Sequence, residues 1–241
     1  MPDKVEKDMW LNFSPEEKQL YLANLAQVNE QLQQQLELEK VDSILILAMM
    51  TRLRQICCEP RMLYENYKGE STKFSMCLDL IETLKENGKK VLLFSSFTSI
   101  FDDFIEEFDR RGIKYHMITG AVDKKKRKEE VDAFQNDDSN VFLISLKAGG
   151  TGLNLTKAQA VIHFDPWWNV SAQNQATDRA YRIGQTKNVL VYQLLMKNTI
   201  EEKIYEMQKR KKEMSDLFVE NSNGGISTLS KEELKDLFSM D

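Results

Sequence analysis

Residues 141–185 read VFLISLKAGGTGLNLTKAQAVIHFDPWWNVSAQNQATDRAYRIGQ, and the fold turns on this run. Val141 to Leu146 is short, apolar and partly β-branched, the pattern of a strand buried on both faces. Gly149, Gly150 and Gly152 interrupt it, and such a turn lets backbone N–H groups approach a ligand where a Cβ would block the way. Ala160 to Asp165 reads as the next strand. Its last residue sets a carboxylate at the carboxyl edge of the sheet, where open α/β sheets bind ligands. A helix is predicted after it, with Gln175, Arg179 and Arg182 at i, i+4 and i+7 on one face. An amide and two permanently charged, forked guanidiniums in a line fit the oxygens of a phosphate, and Asp178 can steer either arginine. A polar stripe on a helix is more often a solvated face, so the stripe alone does not decide.

The whole run does more. SLKAGGTGLNLT, FDPWWN and QATDRAYRIGQ, in this order and spacing, resemble motifs V, Va and VI of the Swi/Snf-type remodelling ATPases, a branch of the superfamily 2 helicases. The resemblance implies an α/β fold: a RecA-like three-layer sandwich with a central, mostly parallel sheet, the second of two lobes that clamp ATP and walk along double-stranded DNA. It also implies roles for residues. Arg179 and Arg182 are expected as catalytic arginine fingers, with Gly150, Gly152, Gln175 and Asp178 lining the nucleotide cleft. Ser145, Lys147, Asn154, Trp168 and Asn169 are expected to face DNA. Trp168 reads equally as a stacking plate against DNA and as a core aromatic beside Trp167.

Composition allows this. A chain of 241 residues with 41% hydrophobic and 29% charged residues can bury one good core plus an appendage. No apolar run is long enough to span a bilayer and no secretory leader is recognisable, so no membrane partner is expected. The expected location is the cytoplasmic nucleoid of a bacterium or the nucleus of a eukaryote. Cys57, Cys58 and Cys77 are an odd set without zinc-knuckle spacing and read as buried thiols; no metal site is expected. The net charge of −5 does not argue against DNA, because phosphate contacts are local.

Three segments follow: a helical protrusion and linker over 1–70, a RecA-like lobe over 71–196, and a brace helix with a helical tail over 197–241. Met1 to Asp8 has no core pattern. Ser14, Pro15 and Glu17 make a helix start with a capping box, and Ser43 to Cys58 is a second helix. Pro60 to Ser71 reads as a loop. The lobe should begin near Thr72, with a helix stopped at Asn87-Gly88 and a first strand over Val91–Phe94. Ser95, Ser96, Phe97 and Thr98 at that strand's end resemble motif IV, with Ser96 where a glutamine is common. Ser96, Thr98 and Thr119, which closes the Lys114–Ile118 strand, join the expected DNA-facing set. Five consecutive cations, Lys124 to Lys128, fit a phosphate-binding patch or a nuclear signal, but read first as a solvated helix face opposite Val122, Val131 and Phe134. Thr199 to Val219 resembles the family's brace, Asn221 to Gly225 is a joint, and Ser230 to Phe238 is a short capped helix.

Hydrolysis in this manner needs a glycine-rich loop ending in Lys-Ser/Thr and an acidic pair for Mg2+. Neither is in the sequence. GESTKFS at 69–75 has a lysine without the glycine spacing. Both are therefore expected from an N-terminal RecA-like lobe of the same polypeptide, and this chain alone is expected to be inactive. A DNA-bound protein is a further candidate substrate. Two alternatives remain open on the residues: a superfamily 2 helicase lobe acting on RNA or DNA, and a non-enzymatic α/β binding module whose arginines meet an acidic partner.

Overall fold

The computed structural model describes residues 2–149, 152–167, 170–217 and 229–239, without the side chains of 147, 170, 172 and 211–217. Its strands are β1 (Lys4–Leu11), β2 (Lys90–Ser95), β3 (Tyr115–Ile118), β4 (Val141–Ser145), β5 (Ala158–His163) and β6 (Val189–Met196), in one sheet of order β1-β6-β5-β2-β4-β3. Val91 stands opposite Val141 on one side and Ala160 on the other, and every ladder from β3 to β6 is parallel. β1 runs the same way: the Val189 N–H donates to Asp3 O at 3.0 Å and the Lys197 N–H to Leu11 O at 2.8 Å. The expected mostly parallel sheet is thus parallel throughout.

The helices are α1 (Pro15–Glu37), α2 (Ser43–Cys58), α3 (Thr72–Glu86), α4 (Ile100–Arg111), α5 (Lys124–Asn136), the single turn α6 (Leu146–Gly149), α7 (Val170–Thr177), α8 (Ile200–Leu217) and α9 (Lys231–Leu237). None of those described is long and apolar enough to cross a membrane.

The chain divides into two compact units. The first joins Met1–Met9 to Phe74–Leu195. In it Leu92, Phe94, Phe142, Ile144 and Val161 pack against Phe134 of α5 and Ala176 of α7. The alternating side chains Leu93, Leu143 and Ile162 are equally buried, so both faces of the sheet are covered. On α4, Phe104 packs edge-on to Phe164 and against Phe74, and Gly112 ends that helix at φ 60°, a left-handed cap. Gly88, where a cap is expected, is likewise left-handed, at φ 66°.

The second unit joins Trp10–Lys73 to Met196–Asp241. α1 opens on the expected capping box between Ser14 and Glu17. Glu17 also accepts from Thr72 N at 2.9 Å and Thr72 Oγ1 at 2.5 Å. Lys73, the lysine of GESTKFS, is fully buried and bonds both carboxylate oxygens of Glu201 at 2.5 Å, so it cannot serve a phosphate. Cys57 and Cys58 here, like Cys77 in the first unit, are buried thiols outside any disulfide. Glu59 caps the Pro60–Met62 turn and takes two bonds from the Arg61 guanidinium. The helix expected over Thr199–Val219 is present as α8, with Ile200 and Ile204 buried; the Met214 and Leu217 side chains and the Asn221–Gly225 joint lie outside the described residues.

One element was not foreseen. Met1 to Asp8 has no core pattern in the sequence, yet Lys4–Leu11 form β1, the edge strand beside β6.

Candidate functional site

Parallel strands end together, so the loops after β2, β3 and β4 meet at one edge of the sheet. There Ser96, Thr98, Thr119, Gly120, Ala121, Ser145, Leu146 and Trp167 surround a pocket of about 260 Å³. Four of the residues expected to face DNA are therefore brought together at one edge. Thr98 and Thr119 carry hydroxyls with no partner among the described residues, whereas Ser145 Oγ accepts from Ala148 N at 3.3 Å and starts the turn α6.

Asp165 corrects an expectation. It is buried rather than offered to a ligand, and it accepts from Ser95 Oγ at 2.7 Å, from Ser96 N at 3.0 Å and from Ser96 Oγ. Its charge serves to fix the β2 loop. Ser96 belongs to the pocket wall, with its hydroxyl proton committed to Asp165. Trp167 packs against the core and also lines this pocket, a double role that sequence alone could not assign. Asn154 is exposed and is not part of this lining. Gly150, Trp168 and Asn169 lie outside the described residues, as does the Lys147 side chain. Gly152 has open space where a Cβ would stand, but its φ of 38° favours glycine, so backbone conformation rather than close approach explains the residue.

A second, open pocket of about 420 Å³ is lined by Gln175, Asp178, Arg179, Tyr181, Arg182 and Ile183. All four residues singled out from 175–182 converge on it, but not along one helix. α7 stops at Thr177, after which amides turn to nearer acceptors, the Arg179 N–H to Ala176 O at 3.2 Å and the Ala180 N–H to Thr177 O at 3.1 Å. Arg179 O accepts from Leu155 N at 3.0 Å, and Ala180 O accepts from Gln185 Nε2 at 3.1 Å. Gln185 Nε2 also donates to Ala158 O at 2.9 Å, which ties the arginine turn to the start of β5. Arg182 is exposed and Arg179 partly buried. Burial, and then the neighbouring Arg182 charge, pull the Arg179 pKa down, with Asp178 opposing. Two guanidiniums thus line one open pocket, and the Arg182 charge acts on Arg179.

The comparisons decide the family. The helicase conserved C-terminal domain matches residues 72–184, a span that holds the lining residues of both pockets. The chain aligns over its whole length with the Sulfolobus solfataricus SWI2/SNF2 ATPase core in complex with dsDNA, at TM-score 0.81 and 30% identity, covering 51% of that chain. It belongs to the Swi/Snf-type lobes of superfamily 2. The same organism's isolated SWI2/SNF2 ATPase C-terminal domain, a structure of like extent, is covered completely at 26% identity and TM-score 0.79. An uncharacterized ATP-dependent helicase of Mycoplasma pneumoniae is 38% identical over 99% of this chain. The DNA repair and recombination protein RAD54-like of Drosophila pseudoobscura is 31% identical over all of it. This Swi/Snf-type lobe spans 23% and 34% of those two proteins.

Proposed function

We propose that this lobe is the second half of a motor that moves along double-stranded DNA as it hydrolyses ATP. The observation that carries the proposal is the convergence of Gln175, Asp178, Arg179 and Arg182 on one open pocket. Arg179 and Arg182 hold fixed positive charge there, Asp178 orients it, and the Gln175 amide adds a neutral donor. Bound ATP supplies the phosphoryl group whose transfer to water drives the cycle. Its Mg2+ ligands and phosphate loop are assigned to an N-terminal lobe, where a glycine-rich loop ending in Lys-Ser/Thr and an acidic pair would hold them. Arginines that meet the triphosphate only when two lobes close make closure depend on ATP and opening on phosphate release.

The pocket at the strand ends is the DNA contact in this reading. Thr98 and Thr119 donate to backbone oxygens and Ser145 and Ser96 shape the wall; Lys147, Asn154, Trp168 and Asn169 complete the DNA-facing set that the family resemblance implies. Hydroxyl and backbone contacts of this kind carry no sequence information, so binding should be indifferent to base sequence. The duplex in the Sulfolobus solfataricus structure supports double-stranded DNA as the track.

The test uses the full-length protein. Arg179→Ala and Arg182→Ala should each lower DNA-stimulated ATP hydrolysis by about 10³-fold or more, the scale of an arginine finger, with unchanged circular dichroism. The 241-residue chain alone should hydrolyse no ATP. Normal turnover in both arginine variants would remove the assignment.

A further inference from the structure

α5 breaks an electrostatic rule at its start. Its first five residues are Lys124, Lys125, Lys126, Arg127 and Lys128, at the helix end where the backbone dipole is already positive and cations are unfavourable. Lys124, Lys125, Lys126 and Lys128 are all exposed, and no described carboxylate lies within ion-pair reach of any of them. Glu129 and Asp132 stand four positions after Lys125 and Lys128 on the same helix without an ion pair to them, and three other nearby acids are engaged elsewhere. Asp123 caps the helix by accepting from Lys125 N and Lys126 N, both at 2.9 Å. Glu130 is held by His116 Nδ1 at 2.7 Å, and Asp137 by His116 Nε2 and by Ser139. Because Asp123 uses the free amides of the first turn, any attraction for an anion must come from the lysine side chains.

The patch also has an address. Thr119, Gly120 and Ala121 line the pocket at the strand ends, and the Val122 N–H donates to Thr119 O at 3.2 Å, so one tight turn separates the pocket wall from the cap. Val131 and Phe134 hold the opposite side of the helix against the core, which fixes the lysines on the outer side.

We propose that the four lysines Lys124, Lys125, Lys126 and Lys128 extend the pocket's contact along the phosphate backbone of the duplex, as a second, purely electrostatic track. The inference rests on the duplex-DNA reading above. A row of unpaired cations without fixed geometry suits a polyanion of regular charge spacing, and its continuity with a hydroxyl-lined pocket favours nucleic acid over an acidic protein segment.

The experiment measures duplex affinity of the full-length protein by fluorescence anisotropy across a salt series. Replacing all four lysines by glutamine should weaken binding about tenfold or more at low salt. It should also reduce the slope of log K against log salt by roughly 2–4, at about 0.9 for each phosphate that is no longer neutralised. The fourfold Lys→Arg variant, which keeps the charge, should retain affinity and slope. An unchanged slope in the glutamine variant, with Thr119→Val still weakening binding, overturns this inference and leaves the duplex reading standing. Absence of duplex binding by the unsubstituted protein overturns both. Unchanged DNA binding with loss of affinity for polyglutamate overturns it in favour of an acidic protein partner.

Discussion

His163 ends β5 in the core, fully buried, with its ring near-parallel to Phe94 and its centroid 5.7 Å away. The Thr177 hydroxyl donates to Gln173 O at 3.3 Å, so its oxygen accepts from His163 Nε2–H at 2.9 Å. Nδ1 is left without a partner. Burial lowers the His163 pKa to about 4, against weaker raising contributions from Asp165 and Glu6. The unfolded histidine titrates near 6.5, so between about pH 6.5 and 4 the unfolded state binds more protons than the folded one, and stability falls as pH falls through that window. The full effect is roughly 3 kcal/mol. Comparing urea unfolding of wild type and His163→Gln at several pH values isolates it. The difference between the two should shift by about that amount from pH 7.5 to pH 4, and parallel curves would remove the histidine as the cause.

Among the elements, α8 is secured at its first turn by a pair that no local pattern announces. Lys73 and Glu201 are both fully buried, and Glu201 also accepts the Met196 N–H at 2.9 Å. Burial works against the Lys73 charge, but Glu201 together with Cys58 and Cys57 outweighs it, and the Lys73 pKa ends above its ordinary value. Removing one partner strands the other charge, so Lys73→Met alone should cost about 3–5 kcal/mol in denaturant unfolding. Lys73→Met with Glu201→Gln leaves no stranded charge and keeps an acceptor for Met196, and should recover most of the loss. If the double variant is as unstable as the single one, the cost is packing and not charge. The separation of 128 positions between the partners explains why sequence hid them. What was legible is local: the capping boxes at Ser14 and Ser230, the glycine stops at Gly88 and Gly112, and the fully apolar runs of β2 and β4. The arginine turn was half legible. Residue types and convergence could be read, but helical spacing continued past Thr177 on paper, while in the fold the amides of Arg179 and Ala180 turn to acceptors three residues back.

For the molecule as a whole, the least readable strand guards the sheet. β1 (KVEKDMWL) is exposed over its first five residues, so it lacks the alternation that marks a half-buried strand. Its place comes from backbone pairing with β6, and from the Asp3 N–H donating to Asn188 Oδ1 at 3.0 Å. β6 (VLVYQLLM) is apolar enough to be an aggregation hazard were it the edge, whereas the charged β1 is the kind of edge that discourages further pairing. Deleting residues 2–9 should therefore do two things at once. The lost ladder bonds, at about 0.5–1.5 kcal/mol each, should lower the urea midpoint, and the uncovered β6 should drive concentration-dependent association visible by light scattering. Glu6→Pro, which removes one N–H and disturbs the ladder while keeping the chain length, should give a weaker form of both effects. A deletion variant that stays monomeric with an unshifted midpoint would mean that β1 rests on the sheet without protecting it.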